Sequence, residues 1–150
     1  MRVLIQRVTN ASVSIDGVTV GAIGCGLLVF VGVEDADIEE DLSWMCSKIC
    51  GLRIFSDKTG KMNYSVRDVD GEILVVSQFT LHACTKKGNR PSFTAAGRPE
   101  FAKAMYDDMI AKLKSLGVKK VESGRFGADM NVELLNDGPV TIWIDSKHKE

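Results

Sequence analysis

Residues 26–33, GLLVFVGV, form an apolar run unbroken by a single charged or polar side chain. A strand with one face in water alternates, whereas a continuous run of this length belongs to a strand covered on both faces. The run is therefore a central strand, and the rest of the chain has to supply a cover for each side. Two helical patterns are available. In EDADIEEDLSWMCSKIC, Ile38, Leu42, Met45, Cys46 and Ile49 recur at helical spacing, and Asp37 with Glu40 fits a capping box. Pro99 opens a second helix in which Phe101, Met105, Met109 and Leu113 form one stripe, widened by Ile110, and Gly117 closes it.

The remaining segments read as strands. Residues 2–8 alternate, and residues 11–20 suggest two short strands around an Asp16-Gly17 hairpin. Strands are also expected at 52–56, 72–81, 118–123, 130–135 and 139–144, while 82–98 lacks periodicity and reads as a long loop. Strands dominate and two long helices accompany them, so the fold class is α+β, one compact domain over residues 1–150. At 150 residues with 45% hydrophobic content, such a domain can bury a core of its own.

Charge narrows the function. Nineteen Lys and Arg against 20 Asp and Glu leave a net charge of −1, which argues against a dedicated duplex-DNA-binding protein. The N-terminal residues alternate and carry arginines rather than a signal core, and no apolar run approaches a membrane span, so a cytoplasmic protein is expected. Cys25, Cys46, Cys50 and Cys84 are expected to act as small buried hydrophobes, without a disulfide or a structural metal, and no cofactor is expected.

Two stretches raise the question of chemistry. In NDGPVT, residues 136–141, Gly138-Pro139 stands between two apolar runs, although Pro cannot donate to a strand ladder. A hairpin turn is one reading; a backbone that itself does chemistry is the other. In SQFTL, alternation along a continuing strand places Gln78 and Thr80 on one face and would project His82 from the same side. A Ser or Thr nucleophile needs a base in reach, and neither a G-x-S-x-G elbow nor a phosphate-binding glycine pattern is present. TKKGNRPSF groups Lys86, Lys87 and Arg90 near Phe93, which suits either a solvated loop or the end of a single-stranded RNA.

Taken together, MRVLIQRV, SQFTL, GNRPSF followed by Ala95-Ala96, and FGADMNVELLNDGPVT resemble the D-aminoacyl-tRNA deacylases over essentially the whole chain. A related archetype that edits L-alanine on tRNA has Pro where Ser77 stands and a smaller residue at Phe79, so the serine and phenylalanine favour the D-specific branch. The resemblance implies a barrel-like strand-rich homodimer with shared active sites, acting on the 3′-terminal adenosine and aminoacyl group of aminoacyl-tRNA. It implies that Gly138 and Pro139, joined by a cis bond, enter the partner's site and reject L-amino acids, with Arg7 close to that element. Ser77, Gln78, Phe79 and Thr80 are the implied catalytic segment, with the Phe79 amide and Thr80 at the reacting carbonyl and activation by the adenosine 2′-hydroxyl. Pro91, Ser92, Phe93, Ala95, Ala96 and Met130 are the implied surroundings of the adenosine. Two rival readings remain at this stage: an inert binder of aminoacyl-tRNA ends, and a Ser/Thr hydrolase of an unrelated small ester.

Overall fold

The computed structural model describes residues 1–150. Its centre is one mixed sheet. β1 (Arg2–Ile15) pairs antiparallel with β2 (Val18–Ile23), with β3 (Gly26–Gly32) and, through almost its whole length, with the last strand, β8 (Asn131–Asp145). β3 then pairs parallel with β6 (Glu72–Ser77), and β6 parallel with β7 (Lys120–Ser123). A separate ribbon of β4 (Phe55–Ser56) and β5 (Met62–Tyr64) lies between β3 and β6 in sequence. β2 folds back until Gly21 meets the far edge of the sheet, where an added Cβ would stand 2.8 Å from the Ser123 carbonyl oxygen. Six strands thus form a nearly closed, barrel-like sheet.

α1 (Glu39–Gly51) and α2 (Pro99–Ser115) are the crossovers of the parallel part. Both pack on one face of the sheet, where Met45, Ile49, Met109 and Leu113 join Ile5, Val29, Ile73 and Val75 in a single core cluster. The opposite face of the same strands buries Leu28, Leu74 and Val76 against Val8, Val13 and Ile23 inside the barrel. β3 is therefore covered on both sides, as its unbroken apolar run requires.

Several local expectations give way to tertiary pairing. Residues 2–15 form one strand rather than two, because β8 runs alongside almost all of it. The α1 cap uses Asp41, whose carboxylate accepts from the Ile38 amide at 3.0 Å, and not Glu40. Asp37 instead accepts from the Glu34 amide and from the Met1 ammonium. Of the four cysteines, all free, Cys46 and Cys50 are buried but Cys25 and Cys84 are exposed. Burial pushes the Cys46 thiol up to about 12, with Cys50 beside it adding to the shift.

Candidate active site

The strand expected over 72–81 ends at Ser77, because its partner β3 ends at Gly32. The Gln78 amide still reaches Val31 O at 2.7 Å, and the chain then winds into a 3₁₀ turn, Phe79–His82, closed by the Leu81 amide on Gln78 O. This turn overturns the expected alternation. Thr80 no longer shares a strand face with His82; its hydroxyl accepts from the Gln78 side-chain amide at 2.5 Å. His82 turns inward, 2% exposed, with its Nε2 buried and without a hydrogen-bond partner. It is not a base for Thr80. The amides of Phe79 and Thr80 donate to none of the turn, loop or cap carbonyls.

Gly32 is what lets the turn lie so close. A Cβ there would stand 3.0 Å from Gln78 O and from His82 Cδ2, and 3.1 Å from Leu81 Cβ.

Beside the turn, at the carboxyl ends of β3 and β6, opens a cavity of about 510 Å³. Outside the carboxyl ends of parallel strands is where α/β sheets commonly hold ligands. Ser77, Gln78, Phe79, Ala96 and Met130 are among the residues that line it. Phe93 does not line it but meets the exposed Phe79 edge-to-face, ring centroids 5.3 Å apart, so the two aromatics stand as a pair at its rim. Ser92 clasps Cys84 through two backbone hydrogen bonds of 2.7 and 3.0 Å. Pro91 and Ala95 are exposed, and with Thr80 they lie outside the lining. The loop's far end is pinned by the Gly97 amide on Val33 O at 2.8 Å and by Arg98 against Asp35.

Sequence reasoning missed the cavity's other wall. Tyr106, Phe126 and Asp129 contribute to it. Tyr106 is buried and donates to Val75 O at 2.8 Å; burial pushes its hydroxyl up to about 12. On α2 it sits just off the methionine stripe, so the helical pattern marks it only as core.

Gly138 and Pro139 occupy a second location. NDGPVT is not a hairpin turn: β8 continues through it in one direction. Gln6 faces Thr141 and Val8 faces Asn136, so residues 137–140 stand opposite Arg7 alone; Gly138 and Pro139 bulge outward while Val140 turns into the core. The Gly138-Pro139 bond is cis, and both residues are exposed. Arg7, 7% exposed, fixes the bulge. Its guanidinium donates to Asp137 O at 3.2 Å, Gly138 O at 3.3 Å and Ile54 O at 2.5 Å, and pairs with the Asp137 carboxylate at 2.9 Å. One planar group with five donors can hold three carbonyls in this way. The bulge does not line the cavity of its own chain. Farther along β8, Leu135 and Trp143 are exposed large apolar side chains, 59% and 49% accessible. No helix is long and apolar enough to cross a membrane.

A model of the D-Tyr-tRNA(Tyr) deacylase family matches residues 4–145. The chain belongs to the D-aminoacyl-tRNA deacylase family. Relatives that carry the family name include one from Akkermansia muciniphila, 59% identical over 150 residues with 100% of both chains covered. Another, from Flavobacterium johnsoniae, is 57% identical with the same coverage. Among solved structures, one described as a c-Myc DNA unwinding element binding protein is 42% identical, with a TM-score of 0.92 over 97% of this chain and 98% of that one. A second, described as a probable eukaryotic D-amino acid tRNA deacylase, shares 18% identity at a TM-score of 0.83 over 95% and 97%, and speaks for the fold alone.

Proposed function

We propose that this protein hydrolyses the ester of D-aminoacyl-tRNA, releasing free D-amino acid and tRNA. The observation that carries the reading is the Ser77–Thr80 segment at the cavity beside β3 and β6, in a chain of the D-aminoacyl-tRNA deacylase family. The terminal adenosine enters the cavity past Phe79 and Phe93, an exposed aromatic pair on which a base can stack. The ester carbonyl lies against the Phe79 and Thr80 amides. Attack by water places negative charge on the carbonyl oxygen, and fixed amides aimed at that charge lower the barrier without moving.

Thr80 positions rather than attacks. Its hydroxyl is occupied by Gln78 and has no base beside it. Activation of the water falls to the adenosine 2′-hydroxyl, which makes the RNA part of the catalytic apparatus.

Chirality is read by a second copy of the chain. Gly138 and Pro139 stand out from β8, away from their own cavity, and Leu135 and Trp143 give the same strand exposed apolar surface for a partner. In a two-fold dimer each bulge caps the other's cavity. Arg7 takes one lone pair of Gly138 O and leaves the other for the substrate's ammonium. Rigid main chain at that point leaves no room for an L side chain, so selection works by rejection.

The test is deacylation of D-alanyl-, glycyl- and L-alanyl-tRNA at matched enzyme concentration. D-alanyl- and glycyl-tRNA are cleaved and L-alanyl-tRNA resists, because glycine offers nothing to reject. Inertness toward glycyl-tRNA alongside fast D-alanyl turnover would overturn the rejection reading, and no release from any of the three would overturn the activity itself.

A further inference from the structure

Lys86, Lys87 and Arg90 lie outside the site described above. They occupy the tip of the loop that the Cys84–Ser92 bridge clasps, turned at Gly88 with φ +68°. All three are exposed, and residues 83–97 contain no Asp or Glu. Elsewhere most ion pairs tie a cation to a neighbouring carboxylate, but none of them involves these three. With a net charge of −1 for the chain, the remainder carries −4 once these three are set aside. A protein that is otherwise an acid thus keeps three uncompensated cations at one point, on the loop that also carries Phe93 to the cavity rim. Such a point attracts a polyanion and repels little.

The clasp also determines what the tip can reach. Ser92 is followed by Phe93, which stands at the rim with Phe79, so the terminal nucleotide is served on the cavity side of the bridge. Four residues from Cys84 to Gly88 carry the tip beyond it, by at most about 13 Å at 3.3 Å per residue. Cations so placed meet phosphates farther along the RNA.

Resting on the deacylase reading, we propose that Lys86, Lys87 and Arg90 form a phosphate-binding arm for the double-helical acceptor stem of the tRNA whose 3′ end enters the cavity. The arm makes contacts to phosphate and none to base edges. It raises affinity for any tRNA equally and carries no information about which one is bound. That suits an enzyme whose substrate is defined by the amino acid's hand.

The experiment compares wild type with the triple variant K86A/K87A/R90A and with K86R/K87R/R90K, which keeps the charge. Lys114→Ala, an exposed lysine at the other end of α2, serves as control. Two substrates are used, D-alanyl-tRNA and D-alanyl-adenosine, which has no stem, each over a series of salt concentrations. KM for the tRNA should rise steeply with salt in wild type. In the alanine triple variant the log–log slope should fall by roughly one per cation removed, two to three in all. A fourfold rise in salt then narrows the gap between the two proteins roughly 16- to 64-fold. The arginine/lysine variant and the control should keep the wild-type slope.

An unchanged slope in the alanine variant would overturn the proposal. So would an equal loss on D-alanyl-adenosine, which would mean that the loop acts through the cavity. Should wild type cleave neither substrate, the deacylase reading fails instead. The arm is then decided by fluorescence anisotropy of uncharged tRNA, with the same slopes expected. Should the triple variant misfold, the single Lys87→Ala variant, with a slope change of about one, decides in its place.

Discussion

Replacing Gly32 by Ala tests whether the position of the 3₁₀ turn sets the reaction rate. The new Cβ would meet Gln78 O and His82 Cδ2 at 3.0 Å, where ordinary contact begins at 3.4 Å, so turn and strand must part by roughly 0.4 Å. Gln78 O is backbone and His82 is buried, so neither can swing away. Overpacking of this kind costs about 1–3 kcal/mol. In a domain of this size that lowers Tm by about 2–4 °C per kcal/mol. The same displacement moves the Phe79 and Thr80 amides. A misplacement of about 1 Å can cost a hundredfold in rate, so on a logarithmic scale roughly 0.4 Å costs about sixfold. The assay is single-turnover deacylation of D-alanyl-tRNA at saturating enzyme, well below the variant's Tm, beside a thermal melt. Gly51→Ala is the comparison, since a Cβ there meets nothing within 4 Å and should leave the rate unchanged. A variant at Gly32 that melts earlier yet turns over at the wild-type rate would refute the link between turn position and catalysis.

Arg7→Lys keeps the charge but cannot span three carbonyls, and stranding the buried end of that network should cost about 1–3 kcal/mol in a urea unfolding series. D-alanyl-tRNA turnover should fall with it, since the 137–138 backbone loses its anchor; full activity would show that the bulge holds itself. Asp41 supplies an acid-side prediction. Burial alone would raise its carboxyl, but the Lys147 ammonium and the Ile38 amide outweigh burial and hold it at about 2, against an ordinary 3.8. Its stabilising share is therefore complete above the ordinary value and is lost as pH falls toward 2. Asp41→Asn should be less stable at neutral pH and lose less between about pH 5 and 2, which unfolding midpoints across that range would measure.

What the sequence made legible follows from which forces are local. β3 and α2 announce themselves because burial on two faces and on one stripe leave different spacings, 26–32 and 99–115. Pro99 and Gly117 mark the ends of α2, but the start of α1 is less legible. Asp37 and Glu40 satisfy the capping pattern, yet Asp37 serves Glu34 and the chain's ammonium, so the neighbouring Asp41 caps instead. The turn at 79–82 was hidden for another reason. FTLH carries good strand residues, and only the end of β3 at Gly32 tells β6 to stop. Of the residues the resemblance implies, Ser77, Gln78, Phe79, Ala96 and Met130 line the cavity, whereas Thr80, Pro91, Ser92, Phe93 and Ala95 do not. Tyr106 escaped because a buried aromatic on an amphipathic helix looks the same whether it packs against core or lines a void.

The two registers of β8 have a consequence for how this chain can change its length. Asn131–Asn136 is locked against Val8–Ser14, and Thr141–Asp145 against Arg2–Gln6. One residue inserted in either stretch would turn every side chain beyond it to the opposite face of the sheet. Between them, four residues stand opposite Arg7 alone, and no ladder counts them. An insertion or deletion among residues 137–139, short of the buried Val140, leaves both flanks in step and alters only how far the Gly-Pro backbone stands off the sheet. Lineages of this fold can thus vary that reach in single-residue steps, at the one place along β8 where gaining or losing a codon does not scramble the core.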